Sequence, residues 1–433
     1  MNSIEASLRK RWLYLLPAVF VTYSLAYLDR ANFGFGAAAG MAATLAISPA
    51  RASLLSGIFF LGYFAFQLPG AILARKYSVR NMVFTSLVVW GTCAALTGII
   101  RQFWLLALDR LVLGVAESLI FPVMLHLLTR WFTRAERSRA NAFLILGNPV
   151  TVLWMSAITG YLIQQFGWQR TFVFEGIPSI VWAFIWLKFV RDQPSEAKWL
   201  SPDAARELEI QLAQEQLSVA GVPNVRHALL RPDVLLLAGQ YFCWSLGIYG
   251  FVLWLPAIVR RGAAVSMTRT GLLAAIPYLA AILLMLIVAY VSDKTRCPRQ
   301  WLVTPFLFTG GVALLGSFYF ASTSFTAAFL CLVVAGACMY APYGPYFAII
   351  PERVPRNVTA EVMALINSCG ALGGFFGSYL VGLLQAVTGN DRAGYLLMSC
   401  SLILSALLML GLHDVPQGKT LAFSESRSTL KEL

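Results

Sequence analysis

Charged residues make up only 12% of this 433-residue sequence, about half the share of a soluble globular chain. Histidine is nearly absent: His126, His227 and His413 are scattered, with no spacing that would hold a metal. The seven cysteines (Cys93, Cys243, Cys297, Cys331, Cys338, Cys369 and Cys400) lie mostly in apolar runs without paired spacing, so no disulfide framework is expected. No nucleotide-binding or nucleophile motif is present, and an enzyme is not expected. A cleavable leader is not expected either, because the first apolar run is too long and holds Asp29 and Arg30. What fills the sequence instead is 58% hydrophobic and 13% aromatic residues, the composition of an integral membrane protein.

Apolar segments of spanning length fall near 13–37, 52–74, 82–100, 103–128, 139–163 and 168–190, then near 233–258, 269–291, 301–321, 325–350, 358–386 and 393–413. The predicted fold is all-α: twelve transmembrane helices in two six-helix bundles, residues 1–190 and 232–433. Residues 191–231 form a polar linker, with a short helix capped near Ser201 and a turn at Gly221-Val222-Pro223-Asn224. Basic residues fix the orientation. One side receives Arg9, Lys10, Arg11, Arg75, Lys76, Arg80, Arg130, Arg134, Arg137 and Arg139 from the first half and its loops. It also receives the linker cations and Lys294, Arg296, Arg299, Arg353, Arg356, Lys419, Arg427 and Lys431. The other side holds only Arg51, Arg101, Arg170, Arg260, Arg261, Arg269 and Arg392. Both termini and the linker are therefore expected in the cytoplasm, and the net charge of +13 reads as topology, not as a nucleic-acid footprint. The two halves echo each other weakly, since helices 2 and 8 both end in a short basic turn, an arrangement found in parallel-repeat transporters.

The first helix carries Asp29 and Arg30 deep in its apolar run, where each costs roughly 2.5–3.5 kcal/mol. Helix 4 supplies Arg110 and Glu117, seven residues apart and so on one face, with Gly114 between them as a notch. The four charges sum to zero. They could simply form two interhelical ion pairs. They also suit an anion carrier: protonating one acid makes the cavity +1, so a carboxylate would enter together with a proton. A site that binds an anion without protons fits the same residues. Tyr63, Gln67, Asn148, Tyr249, Tyr343, Asn367 and Ser368, with Trp254 and Tyr346, offer hydroxyls and amides for a polyol chain, although each alone suits helix packing. Gly370, Gly373, Gly374 and Gly377 suit close packing, Asp109 an interfacial position, and Glu175 a structural role.

From Trp12 to His413 the chain resembles the anion:cation symporter family of the major facilitator superfamily, which includes bacterial sugar-acid permeases. The resemblance rests on Tyr27-Leu28-Asp29-Arg30-Ala31-Asn32, Gly62-Tyr63…Gln67-Leu68-Pro69-Gly70 and Arg110…Gly114…Glu117…Pro122. It continues in Trp131-Phe132…Glu136-Arg137-Ser138-Arg139-Ala140, Phe174-Glu175-Gly176 and Trp254-Leu255-Pro256. It implies that Arg30 and Arg110 meet an anionic substrate, that Asp29 and Glu117 carry the coupling protons, and that Tyr63 and Asn148 add substrate contacts. Residues 147–154 and 342–352 look most like 2-ketogluconate permeases. One departure stands out: in the loop after helix 2, Arg75 and Ser78 replace the family's acid and glycine. The resemblance implies proton-coupled uptake of a sugar acid by a monomer in the bacterial inner membrane, with no cofactor beyond protons. A drug or metabolite antiporter of the same fold is the alternative; of its helix 5 signature only Gly147-Asn148-Pro149 is present.

Overall fold

In lipid every backbone N–H and C=O must be satisfied within the chain, so long apolar runs have little choice but helix. The computed structural model describes residues 3–217, 229–295, 298–354 and 358–412, and no strand occurs among them. Eleven helices are long and apolar enough to cross a membrane. One of them, Arg134–Phe189, makes two crossings, because Gly167 breaks it at φ 78°, ψ 161°, a conformation that suits a residue without Cβ. That yields twelve spans.

Helix 1 is Ser3–Ala38, helix 2 Pro49–Lys76 and helix 3 Val79–Thr97. Helix 4 runs as Phe103–Ser118 and Ile120–Trp131, and helices 5 and 6 are the two arms of Arg134–Phe189. The connecting helix Pro202–Leu217 leads to helix 7, Pro232–Ala263, and helix 8, Met267–Lys294. Helix 9 is Gln300–Phe320, helix 10 Phe325–Tyr340 with Tyr343–Arg353, helix 11 Thr359–Thr388 and helix 12 Arg392–Leu410. Ser48, Ser78, Ser266 and Ser324 start helices 2, 3, 8 and 10, each side chain accepting from the backbone N–H three residues on. The turn at 221–224, Cys297, His227, His413 and the cations Arg226, Arg296, Arg356, Lys419, Arg427 and Lys431 lie outside the described residues.

The face that carries Ser3 is called the near face, and its opposite the far face. At the near face Arg11 ties helix 1 to helices 4 and 5, donating to the Trp131 carbonyl at 2.8 Å and to Glu136 at 2.5 Å. Trp131 stacks on Trp199, which stacks on Tyr14, so the segment before the connecting helix is fastened to helices 1 and 4. The loop after helix 2, without its own acid, is held by an acid from elsewhere: Asp192, after helix 6, accepts from the Ser78 hydroxyl at 2.5 Å and the Arg80 N–H at 2.9 Å. Helices 1–6 and 7–12 meet at mid-membrane and toward the far face. Tyr27 and Tyr249 share a hydrogen bond of 3.3 Å, Phe60 packs on Tyr249, Arg260 donates to the Ala38 carbonyl, and the Thr268 N–H donates to Gln164.

Candidate functional site

Helices 2 and 4 cross where each has a glycine. A Cβ on Gly114 would sit 1.9 Å from the Phe59 carbonyl oxygen, and one on Gly62 would sit 2.2 Å from that of Leu111. This close approach lays Phe59 and Tyr63 over the charged face of helix 4. Arg30, entering from helix 1, donates from Nε to Glu117 at 2.8 Å, and its guanidinium lies 4.4 Å from the centre of the Tyr63 ring. Glu117 is wholly buried, and its second oxygen makes no hydrogen bond within the protein.

The sequence left open two interhelical ion pairs among these four charges; among the described residues one is formed, Arg30 with Glu117. Asp29 is buried with neither oxygen hydrogen-bonded, and Arg110 is buried with Nε unbonded. Arg110 is instead covered by aromatic faces, 4.3 Å from the Phe33 ring centre and 5.3 Å from that of Phe59. With no ion pair to Arg110 among the described residues, the guanidinium gains what it can from ring quadrupoles. Asp109, expected at the interface, is buried and accepts from the Thr97 hydroxyl at 2.8 Å, which gives the acid a donor inside the bundle. Glu175 is held by Asn32 Nδ2 at 3.0 Å and by the Thr159 hydroxyl, a carboxylate knot across helices 1, 5 and 6.

Between the halves lies a small cavity of about 30 Å3. Of the residues singled out in the sequence, Arg30, Tyr63, Asn148, Tyr249, Tyr343 and Asn367 line it. Arg110, Gln67 and Ser368 do not. Arg110 is turned under Phe33, as described; Gln67 is buried one turn beyond Tyr63 with its amide unbonded; and Ser368 donates back to the Ala364 carbonyl at 2.8 Å. Trp254 faces a different space, and the Tyr346 hydroxyl is spent on the Leu237 carbonyl. Gly370 both packs on Tyr241 and borders the cavity.

The sequence reading missed Tyr23, Tyr27, Tyr241 and Ser245 as lining residues. Their signal was periodicity. Tyr23, Tyr27 and Arg30 fall at i, i+4 and i+7, and Tyr241, Ser245 and Tyr249 at i, i+4 and i+8, so each set shares one helix face. Ser368 is adjacent to Asn367 and therefore turned about 100° away from it. The wall combines one guanidinium, six tyrosine hydroxyls, two amides and a serine with the rings of Phe60, Phe121 and Phe347. Such a wall can fix a carboxylate at one point and exchange hydrogen bonds along a hydroxylated body.

Three comparisons place the chain. It is 32% identical over 91% of its length to a quinolone resistance transporter of Acinetobacter baumannii, covering 92% of that protein. It is 29% identical over 94% to a putative tartrate transporter of Agrobacterium vitis, again covering 92%. A bacterial homologue of the human lysosomal transporter Spinster, solved inward-facing and unoccupied, superposes with a TM-score of 0.72 at 18% identity, covering 92% of this chain and 94% of that one. Residues 19–378 match the family model of the Major Facilitator Superfamily, and the protein is a multi-pass membrane transporter belonging to that superfamily.

Proposed function

We propose that the protein takes up a sugar acid, a hexonate such as 2-ketogluconate, together with protons across the bacterial inner membrane. The observation that carries this reading is the Arg30–Glu117 pair at the cavity wall. While Glu117 is ionised it occupies the guanidinium; once protonated it releases Arg30 to a substrate carboxylate. Proton and anion thus favour each other's binding through one side chain. Asp29, buried without a hydrogen-bonding partner, is the second proton carrier, and the hydroxyls and amides around Arg30 receive the polyol. Arg110 joins the anion when the rings of Phe33 and Phe59 move aside. The excess of basic residues in the near-face loops supports a cytoplasmic near face. The scheme takes the protein as a monomer, with protons as the coupling ion and no cofactor.

A second reading has its own support. The relative named for quinolone resistance, and the phenyl rings in the cavity wall, favour export of an aromatic drug against protons. Uptake into proteoliposomes separates the two. Under an inward proton gradient, labelled 2-ketogluconate or another hexonate should accumulate, and should only equilibrate without the gradient. Accumulation that ignores protons would overturn the coupling. A panel of hexonates that never enters, with quinolone expelled instead, would favour the antiporter.

A further inference from the structure

The central cavity is about a tenth of the smallest usual ligand pocket, yet a vestibule of about 470 Å3 opens at the far face between helices 1, 2, 7 and 11. Two guanidiniums border it, and their commitments differ. Arg261 reaches both oxygens of Asp391, at 3.1 and 3.4 Å, and Gln385 donates to the same carboxylate at 2.6 Å. Its charge is compensated. Among the described residues Arg260 has no carboxylate partner: one Nη donates to the Ala38 carbonyl, and its other nitrogens have no hydrogen-bond partner there. An arginine keeps its charge and offers five donors in a planar fork, so this one is available to a carboxylate. Phe33 forms part of the vestibule wall, and on the ring of Phe33 rests the Arg110 guanidinium, 4.3 Å from its centre. Arg110 therefore sits one aromatic ring away from the vestibule.

We propose that the vestibule is a capture site for a small organic carboxylate, with Arg260 as its anchoring group and Phe33 as the barrier between it and Arg110. The inference rests on the anion-carrier reading for the identity of the ligand and on the far face being external. A carboxylate on Arg260 competes with the Ala38 carbonyl, so occupation of the vestibule loosens a contact that joins helix 1 to helix 7. The anion then meets Arg260, Arg110 and Arg30 in turn.

Trp254 also borders the vestibule and reports on it. In purified protein, gluconate should cause a saturable change in the emission attributable to Trp254, taken as the difference from Trp254→Phe, and glucose should not. Arg260→Gln should weaken that response about tenfold and raise KM for uptake much more than it changes kcat, with partial recovery in Arg260→Lys. An unchanged KM and an unchanged response in Arg260→Gln, while Arg110→Lys abolishes uptake, would overturn the capture site and leave the carrier reading intact. An Arg260-dependent gluconate response in a protein that transports no hexonate would overturn the carrier reading and retain the site.

Discussion

Arginine keeps its charge inside a bilayer, so the group that neutralises it decides what it can do. Arg30 is neutralised by a carboxylate that can be protonated, whereas Arg110 rests under rings. Replacing Arg30 by lysine keeps the charge but loses the planar fork, and uptake should fall at least tenfold at fixed substrate concentration; wild-type uptake would remove Arg30 from the site. Replacing Glu117 by glutamine mimics its protonated form permanently. Counterflow should persist while accumulation against a gradient is lost, which paired counterflow and proton-driven uptake assays will show. The sign with pH follows from the same pair. Affinity should rise as pH falls through the titration of Glu117 in the wild type, and this slope should flatten in Glu117→Gln. The four charges were legible in the sequence because charge in an apolar run is conspicuous. Which arginine reaches the cavity was not, because it depends on how helix 4 rotates against Phe33 and Phe59.

Helix existence was the most legible layer, since twenty apolar residues at a stretch permit one structure in lipid. Helix rotation was less so, as Ser368 illustrates: it is adjacent to Asn367 and yet faces away from the cavity. Gly114 marked a notch in helix 4, but that helix 2 fills it, with Gly62 as the partner and backbone carbonyls in contact, required coordinates. Gly114→Ala should cost about 1–3 kcal/mol from overpacking, since the added Cβ would meet a backbone oxygen that cannot swing away. A lower melting temperature, together with weaker transport, is the expected result; an unchanged melting temperature would mean that the helices separate freely there. The loop after helix 2 shows the limit of motif reading. Its missing acid is supplied by Asp192, more than a hundred residues later.

For the whole molecule, the two halves are joined at mid-membrane and toward the far face, with a central cavity of about 30 Å3 between them, too small for a hexonate. A transport cycle must then part the halves at the far face and rejoin them at the near face. Ser53 and Gly382 face each other across helices 2 and 11, with a Cβ on Gly382 2.8 Å from that of Ser53. Disulfide Cβ atoms lie about 3.5–4.5 Å apart, so a slight separation admits a bond. Cysteines at both positions, in a background without the native ones, should stop uptake under oxidation and restore it on reduction. Continued transport in the oxidised protein would contradict rocking about this contact. The most direct measurement of all is proton uptake on substrate binding. When the proposed substrate, a hexonate, is added to purified protein in weakly buffered solution near neutral pH, the account predicts about one or more protons taken up per anion bound, with fewer in Glu117→Gln. Substrate binding with no proton uptake in the wild type would contradict it.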